Sequence, residues 1–268
     1  MLQRIFIFLT LIVILPDIYI YQMFIARQMV HPVLKVLYWA PTFFLLTGLI
    51  YLTFFTPEDF VSQHMRGIGW FAVVLFLFAL PKLNFMLCSV IGLPFNYLLH
   101  WPKTPFVYAG LVLATINAGV ILYGSLIGKT QFEVKEVAYY SSKLPPAFKG
   151  YRIVQLSDIH IGSWEGNARA LQRMVDLVNA QHPDLIVFTG DLVNNQAKEL
   201  DGFQQILSGL HAKDGVYSIL GNHDYGPYHQ WESQRAQVEN LSDLKKREAE
   251  MGWKLLNNEH VILHQGDT

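Results

Sequence analysis

Hydrophobic and polar positions divide the chain at about residue 128. Ahead of that point four apolar stretches follow one another, roughly Ile5 to Ala26, Val33 to Phe55, Gly67 to Leu87 and Phe106 to Ile127. Each approaches the ~20 residues with which a helix crosses a ~30 Å hydrocarbon layer. None carries the polar face that a helix on a water-soluble core turns to solvent. Four in succession predict four transmembrane helices. Arg4 and the apolar run behind it begin like a signal peptide, but no small-residue cleavage site follows. The run therefore reads as an uncleaved first helix, kinked or loosened at Pro16. Asp17 then falls inside a span, where ionisable groups face a partner or a water-filled cavity, unless a tilt leaves it near an interface. Aromatic residues such as Tyr19, Tyr38, Trp39, Tyr97 and Trp101 gather near the span ends, as in an interfacial belt.

Beyond residue 128 the pattern becomes that of a water-soluble domain. Gln131 to Tyr140 alternates like a half-buried strand. Tyr151 to Ser157, Asp184 to Thr189 and Val216 to Leu220 read as buried strands. Asn167 to Ala180 has helical spacing at Leu171, Met174, Val175 and Val178, and Phe203 to Leu210 reads as a further helix. A long polar helix is expected within Gln230 to Met251, with short strands at Lys254 to Leu256 and His260 to Leu263. Strands alternating with helices imply βαβ units and a largely parallel sheet. The expected architecture is an α-helical transmembrane region of four helices (1–128), a linker and edge strand (129–150), and an α/β domain (151–268).

Composition agrees with two unlike parts. Hydrophobic residues make up 52% and charged residues 15%, against about 25% charged in soluble proteins. A net charge of −1 gives no basic field for nucleic acid. The single cysteine, Cys88, excludes an internal disulfide framework and a cysteine-rich zinc site. Four spans place both ends of the chain on one side of the membrane. That side carries Arg4, Arg66, Lys129, Lys135 and Lys143; the other carries Arg27, Lys35, Lys82 and Lys103. The excess of one cation leans toward a cytoplasmic soluble domain, as in a bacterial inner-membrane protein.

The candidate chemistry sits at the carboxyl ends of the three strands, where sites form in open α/β sheets. These ends read Asp158-Ile159-His160, Gly190-Asp191-Leu192-Val193-Asn194 and Gly221-Asn222-His223-Asp224. Asp158 and Asp191 are 33 residues apart, Asp191 and Asn222 31, so each interval is one βαβ step. Carboxylates and imidazoles suit divalent manganese, iron or zinc. An Asp can bridge two ions ~3.5–4 Å apart that clamp a phosphoryl oxygen. His182, His211, His229, His260 and His264 lack such a context and are expected at the surface or in loops.

Taken together, D-x-H, G-D-x-x-N and G-N-H-D resemble the signature of the calcineurin-like metallophosphoesterase family, over roughly Tyr151 to Asp224. The resemblance implies two divalent metal ions. Asp158 and His160 would bind one, Asp191 would bridge, and Asn222 would bind the second. His223 would position or protonate the leaving group, and Asp224 would orient His223. The implied activity is hydrolysis of a phosphoester or pyrophosphate bond in a phosphorylated small molecule or lipid, with membrane lipid as the surrounding partner. Membrane-anchored relatives make UDP-2,3-diacylglucosamine one candidate. The family pattern continues with a further His block and a G-H-x-H block, and neither occurs after Asp224. The chain is therefore expected to carry an incomplete domain that binds metal weakly and hydrolyses little. The alternative is a non-catalytic membrane sensor or docking module built on a degenerate phosphoesterase fold.

Overall fold

The computed structural model describes residues 2–29, 31–56, 60 and 64–266. The chain forms two compact units, residues 1–60 with 67–131 and residues 61–66 with 132–268.

In the first unit, α1 (Leu2–Ile20) passes into a π-helical turn at Tyr21–Ile25, followed by α2 (Pro32–Leu37), α3 (Ala40–Phe54), α4 (Met65–Leu99) and α5 (Thr104–Leu126). Among the described residues four helical segments are long and apolar enough to cross a membrane: Ile5–Ile25, Pro32–Phe54, Arg66–Leu99 and Thr104–Thr130. Large apolar side chains such as Phe8, Phe43 and Val120 point outward, as suits a lipid solvent. Inside, Val13 of α1, Leu45 and Leu49 of α3, and Leu75 and Ala79 of α4 pack together. Gly48 and Gly110 allow close approach. A Cβ on Gly48 would overlap the Phe71 ring, and one on Gly110 would meet the Phe85 backbone at 3.1 Å.

Three details differ from the sequence expectation. Pro16 stays within α1, and the helix widens only at Tyr21–Ile25. Just past that turn, the Lys35 Nζ caps the Ala26 carbonyl at 2.7 Å. The third span continues to Leu99 because Pro81 and Pro94 are both accommodated within α4, as membrane helices permit. Lys82 is therefore not a loop cation. Its Nζ lies 2.7 Å from Asp17 Oδ1, and Asp17 is only 1% exposed. Thr42 donates to Asp17 Oδ2 at 2.5 Å and Tyr38 to Oδ1 at 3.0 Å. Asp17 thus faces Lys82 on α4, Thr42 on α3 and Tyr38 in the turn between α2 and α3, the arrangement expected of an intramembrane acid.

Among the described residues the second unit contains four strands, β1 (Ile153–Leu156), β2 (Leu185–Phe188), β3 (Val216–Ser218) and β4 (Trp253–Leu255), all parallel in the order β1-β2-β3-β4. Between them run α6 (Ala168–Asn179), the short α7 (Gln204–Leu207) and α8 (Gln234–Glu250). In register, Val154, Ile186, Val216 and Trp253 form one row across the sheet. That row joins the core with Leu171, Val175, Leu207 and Leu244 of the three helices. The adjacent row, Gln155, Val187, Tyr217 and Lys254, lies on the opposite face, and none of it is fully buried. The apolar runs suggested strands buried on both faces; among the described residues the helices cover one. Two expected strands do not form. Residues 131–140 form no strand, with Val137, Tyr139 and Tyr140 exposed, because no described strand lies alongside. At its start, Gln131 accepts from the Tyr123 hydroxyl at 2.6 Å and Phe132 stacks on Trp164 at 5.9 Å. Residues 260–263 are likewise coil.

Candidate metal centre

Parallel strands in sequential order bring every β-to-α loop to one edge of the sheet, and the loops there are bonded to one another. Asp158 N–H donates to the Gly190 carbonyl at 3.0 Å, His160 N–H to Asp191 at 3.0 Å, and Ile161 N–H to Leu192 at 2.9 Å. The loop after β1 therefore lies along the loop after β2. The loop after β3 is tied in by Asp224, which is fully buried. Its Oδ2 accepts from Asp191 N–H at 2.9 Å and Gly221 N–H at 2.8 Å. Its Oδ1 accepts from Leu192 N–H at 2.8 Å and Val193 N–H at 3.2 Å. Burial pushes the Asp224 carboxyl above its ordinary value, and the four N–H donors pull it back.

The packing is tight enough to demand glycine. A Cβ on Gly190, which has φ +97°, would overlap the Gly221 backbone, and one on Gly221 would overlap Asp191. The chain is also strained. Asp158, His160 and Asp191 adopt left-handed backbone conformations, with φ of 54°, 46° and 60°. Such conformations in residues other than glycine cost ~1–3 kcal/mol each and concentrate at functional sites.

These loops bring His160, Asp191 and His223 together, each with a ligand atom within 4.8 Å of the others. His160 Nε2 lies 3.8 Å from Asp191 Oδ2 and 3.8 Å from Asp158 Oδ1. Two ligands on one ion, each ~2.1 Å from it, stand ~3–3.5 Å apart, so small adjustments would close this set on a divalent cation. Asp191 Oδ1 is engaged by the His223 N–H at 2.8 Å, which leaves Oδ2 toward His160. Asn222 donates its amide to the Tyr228 hydroxyl at 3.0 Å, a bond that does not use its side-chain carbonyl oxygen. The donor set of oxygens and imidazole nitrogens fits manganese, iron or zinc.

The His223 ring is fixed differently from the expectation. Asp224 does not orient it, because both Asp224 oxygens are taken by backbone N–H groups. Instead His223 Nδ1 donates to the Asn194 carbonyl at 2.7 Å, which leaves Nε2 as the ring nitrogen available to take up or give a proton. The Asn194 turn is held in turn by Glu199, whose carboxylate accepts from the N–H groups of Asn194, Asn195 and Gln196 at 2.6–2.9 Å. Tyr228 lies over the His223 ring, with centroids 4.6 Å apart. Sequence reasoning passed over Glu199 and Tyr228. For Glu199 the available signal was a glutamate three residues after Gln196, the spacing of a capping box. Of the remaining histidines, His260 and His264 are exposed, and His229 packs on Trp231 at 4.5 Å.

Comparison with known proteins gives this geometry a family. Residues 3–129 match the family model described as "Probable Calcineurin-like phosphoesterase, transmembrane domain", and residues 151–267 match "Calcineurin-like phosphoesterase". A zebrafish (Danio rerio) "Transmembrane protein with metallophosphoesterase domain" is 35% identical over 56% of this chain and 32% of its own length. The Bacillus subtilis metallophosphoesterase YkuE is 33% identical over 44% of this chain and 43% of its own. The "UDP-2,3-diacylglucosamine pyrophosphatase LpxG" of Chlamydia trachomatis is 33% identical over 46% of this chain and 39% of its own. The chain thus spans less than half the length of these curated relatives. No solved structure matches. Four helices of membrane-crossing length and the match to a transmembrane family make this an integral membrane protein. The chain belongs to the calcineurin-like phosphoesterase family, in the form that carries a four-span transmembrane domain ahead of the metallophosphoesterase domain.

Proposed function

We propose that the chain is the membrane-anchored, metal-dependent part of a phosphohydrolase that cleaves a phosphoester or pyrophosphate bond. The convergence of His160, Asp191 and His223 from three separate strand ends carries this reading. Asp158 and His160 would hold one ion, Asp191 would bridge, and Asn222 would serve the second. When bound, the ions supply Lewis-acid polarisation of a phosphoryl oxygen and a more acidic water. The chain's own contribution is positional. Asp191 is held through one oxygen by the His223 amide. His223, with Nδ1 held by the Asn194 carbonyl, presents Nε2 to carry a proton to the leaving oxygen.

A lipid-linked phosphate or pyrophosphate is the substrate class we assign. The spans hold the domain at a bilayer surface, and the relative named as LpxG is a UDP-2,3-diacylglucosamine pyrophosphatase. With Lys82 moved from loop to helix, the cations flanking the spans number five on the side of the phosphoesterase domain (Arg4, Arg66, Lys129, Lys135, Lys143) and three on the other (Arg27, Lys35, Lys103). That asymmetry favours a cytoplasmic domain in a bacterial inner membrane.

The test is manganese binding to the full chain in detergent, read by electron paramagnetic resonance, with turnover of p-nitrophenyl phosphate measured alongside. Binding is expected in the wild type and should vanish in Asp191→Asn. His223→Asn should keep the bound-manganese signal and lose whatever turnover the wild type shows. Wild-type protein that takes up no manganese at millimolar concentration would refute the reading and support a non-catalytic docking module.

A further inference from the structure

Between α1, α4 and α5 lies a cleft of about 310 Å³ that the phosphoesterase chemistry does not use. It opens at the end of α5 opposite Leu126. Met23, Leu93 and Val107 give it apolar walls, and Tyr19, Ser89 and Lys103 give it polar ones. No carboxylate or histidine lines it, so it is equipped to bind and not to catalyse.

The polar groups are matched to one kind of ligand. Lys103 is exposed, forms no ion pair among the described residues, and stands at the N-cap of α5, where the helix dipole adds positive potential. Deeper in, the Tyr19 hydroxyl and Ser89 Oγ are 2.7 Å apart, and Ser89 is only 3% exposed. Two hydroxyls carry two donor hydrogens, and one hydrogen bond uses one of them. Neither oxygen makes another hydrogen bond among the described residues, so one donor remains unspent beside the cleft. The site therefore offers a cation at its mouth, a hydroxyl donor inside and hydrocarbon walls. It asks for an anion, an acceptor with no hydrogen of its own, and an apolar chain, in that order.

We propose that this cleft is a binding site for an anionic diacyl phospholipid. The phosphate meets Lys103, an ester carbonyl accepts from the Tyr19–Ser89 pair, and the upper part of one acyl chain lies along Met23, Leu93 and Val107. The volume is at the small end of the ~300–1,000 Å³ typical of ligand pockets, which suits a headgroup and the first part of a chain while the remainder stays in the bilayer. Exposed Tyr97, Trp101 and Tyr108 surround this end of the helices, as expected where headgroups meet hydrocarbon.

The experiment is native mass spectrometry of the full chain released from detergent, titrated with dioleoyl phosphatidylglycerol or dioleoyl phosphatidylcholine. Wild type should show one saturable lipid adduct with a preference for phosphatidylglycerol. Lys103→Gln, a change at an exposed position, should reduce that preference by about tenfold, the effect of one charge-assisted contact. Ser89→Ala should weaken both lipids. Val107→Trp, which fills the cleft, should abolish the saturable adduct; near-wild-type circular dichroism would show that the helices persist. Inorganic phosphate should not compete. The proposal is overturned if Lys103→Gln retains the wild-type preference, if adducts grow without saturation as for annular lipid, or if inorganic phosphate displaces the lipid.

Discussion

Asp224 offers the sharpest test of how the site is held together. Its carboxylate joins the loops after β2 and β3 through four backbone N–H groups and is fully buried. In Asp224→Asn, one oxygen becomes an NH₂ group, and the two N–H groups that faced it lose their acceptor. Each orphaned buried donor costs ~1–3 kcal/mol, so the loops should be destabilised by about 3 kcal/mol. Because ~1.4 kcal/mol is a factor of ten, amide exchange should accelerate by roughly 100-fold. Hydrogen–deuterium exchange on the full chain in detergent reads this directly, in peptides that cover Asp191–Val193 and Gly221. Peptides from α6, which Asp224 does not touch, serve as the internal reference. The reasoning fails if exchange at Asp191–Val193 rises less than tenfold, or if α6 accelerates equally, since either result would mean that Asp224 is not the local tie.

Three further outcomes follow from other parts of the molecule. Glu248 is 1% exposed, and burial pushes its carboxyl from an ordinary 4.5 up to about 7, against the pull of its bond from Ser218. Across that window the folded state holds one more proton than the unfolded state. Stability is therefore fully present below pH 4.5 and falls by ~1.4 kcal/mol per pH unit, about 3 kcal/mol in all, as pH rises to 7. Glu248→Gln should remove this slope, and equal melting-temperature differences between variant and wild type at pH 5 and pH 8 would contradict it. In the membrane unit, Asp17→Asn or Lys82→Met alone leaves one charge without its partner and should cost ~3–5 kcal/mol. The double variant should recover much of this in detergent unfolding, and strictly additive losses would show that the pair is not coupled. Gly190→Ala combines an unfavourable φ with overlap onto Gly221 and should cost about 3 kcal/mol or more, read as a lower melting temperature for the second unit.

The strand ends were legible because their polar residues interrupt apolar runs at intervals of one βαβ step. Asp158, His160, Asp191, Asn222 and His223 all lie on the loops at one edge of the sheet, and His160, Asp191 and His223 meet. What holds them was less legible. The partner of His223 is a backbone carbonyl, which leaves no mark in a sequence. The partners of Asp224 are backbone N–H groups, so its role could not be read from its place beside His223. Lys82 looked like a loop residue because a linear hydropathy pattern does not show an acid 65 positions earlier. The alternation at residues 131–140 announced a strand, but alternation specifies a face and does not supply a neighbour. The run Leu185–Phe188 is apolar throughout, and apolar character alone does not distinguish one covered face from two.

The Asp17–Lys82 pair also constrains how the protein is made. Asp17 leaves the ribosome 65 residues before Lys82, a lag of about 3–13 s at ~5–20 residues per second. During that interval the first span carries an acid that costs ~2.5–3.5 kcal/mol at a helix centre and has no counter-charge in the bilayer. Tyr38 and Thr42, synthesised in between, can cover the carboxylate with hydroxyls but cannot neutralise it. The first span therefore reaches its final setting only once the third has entered.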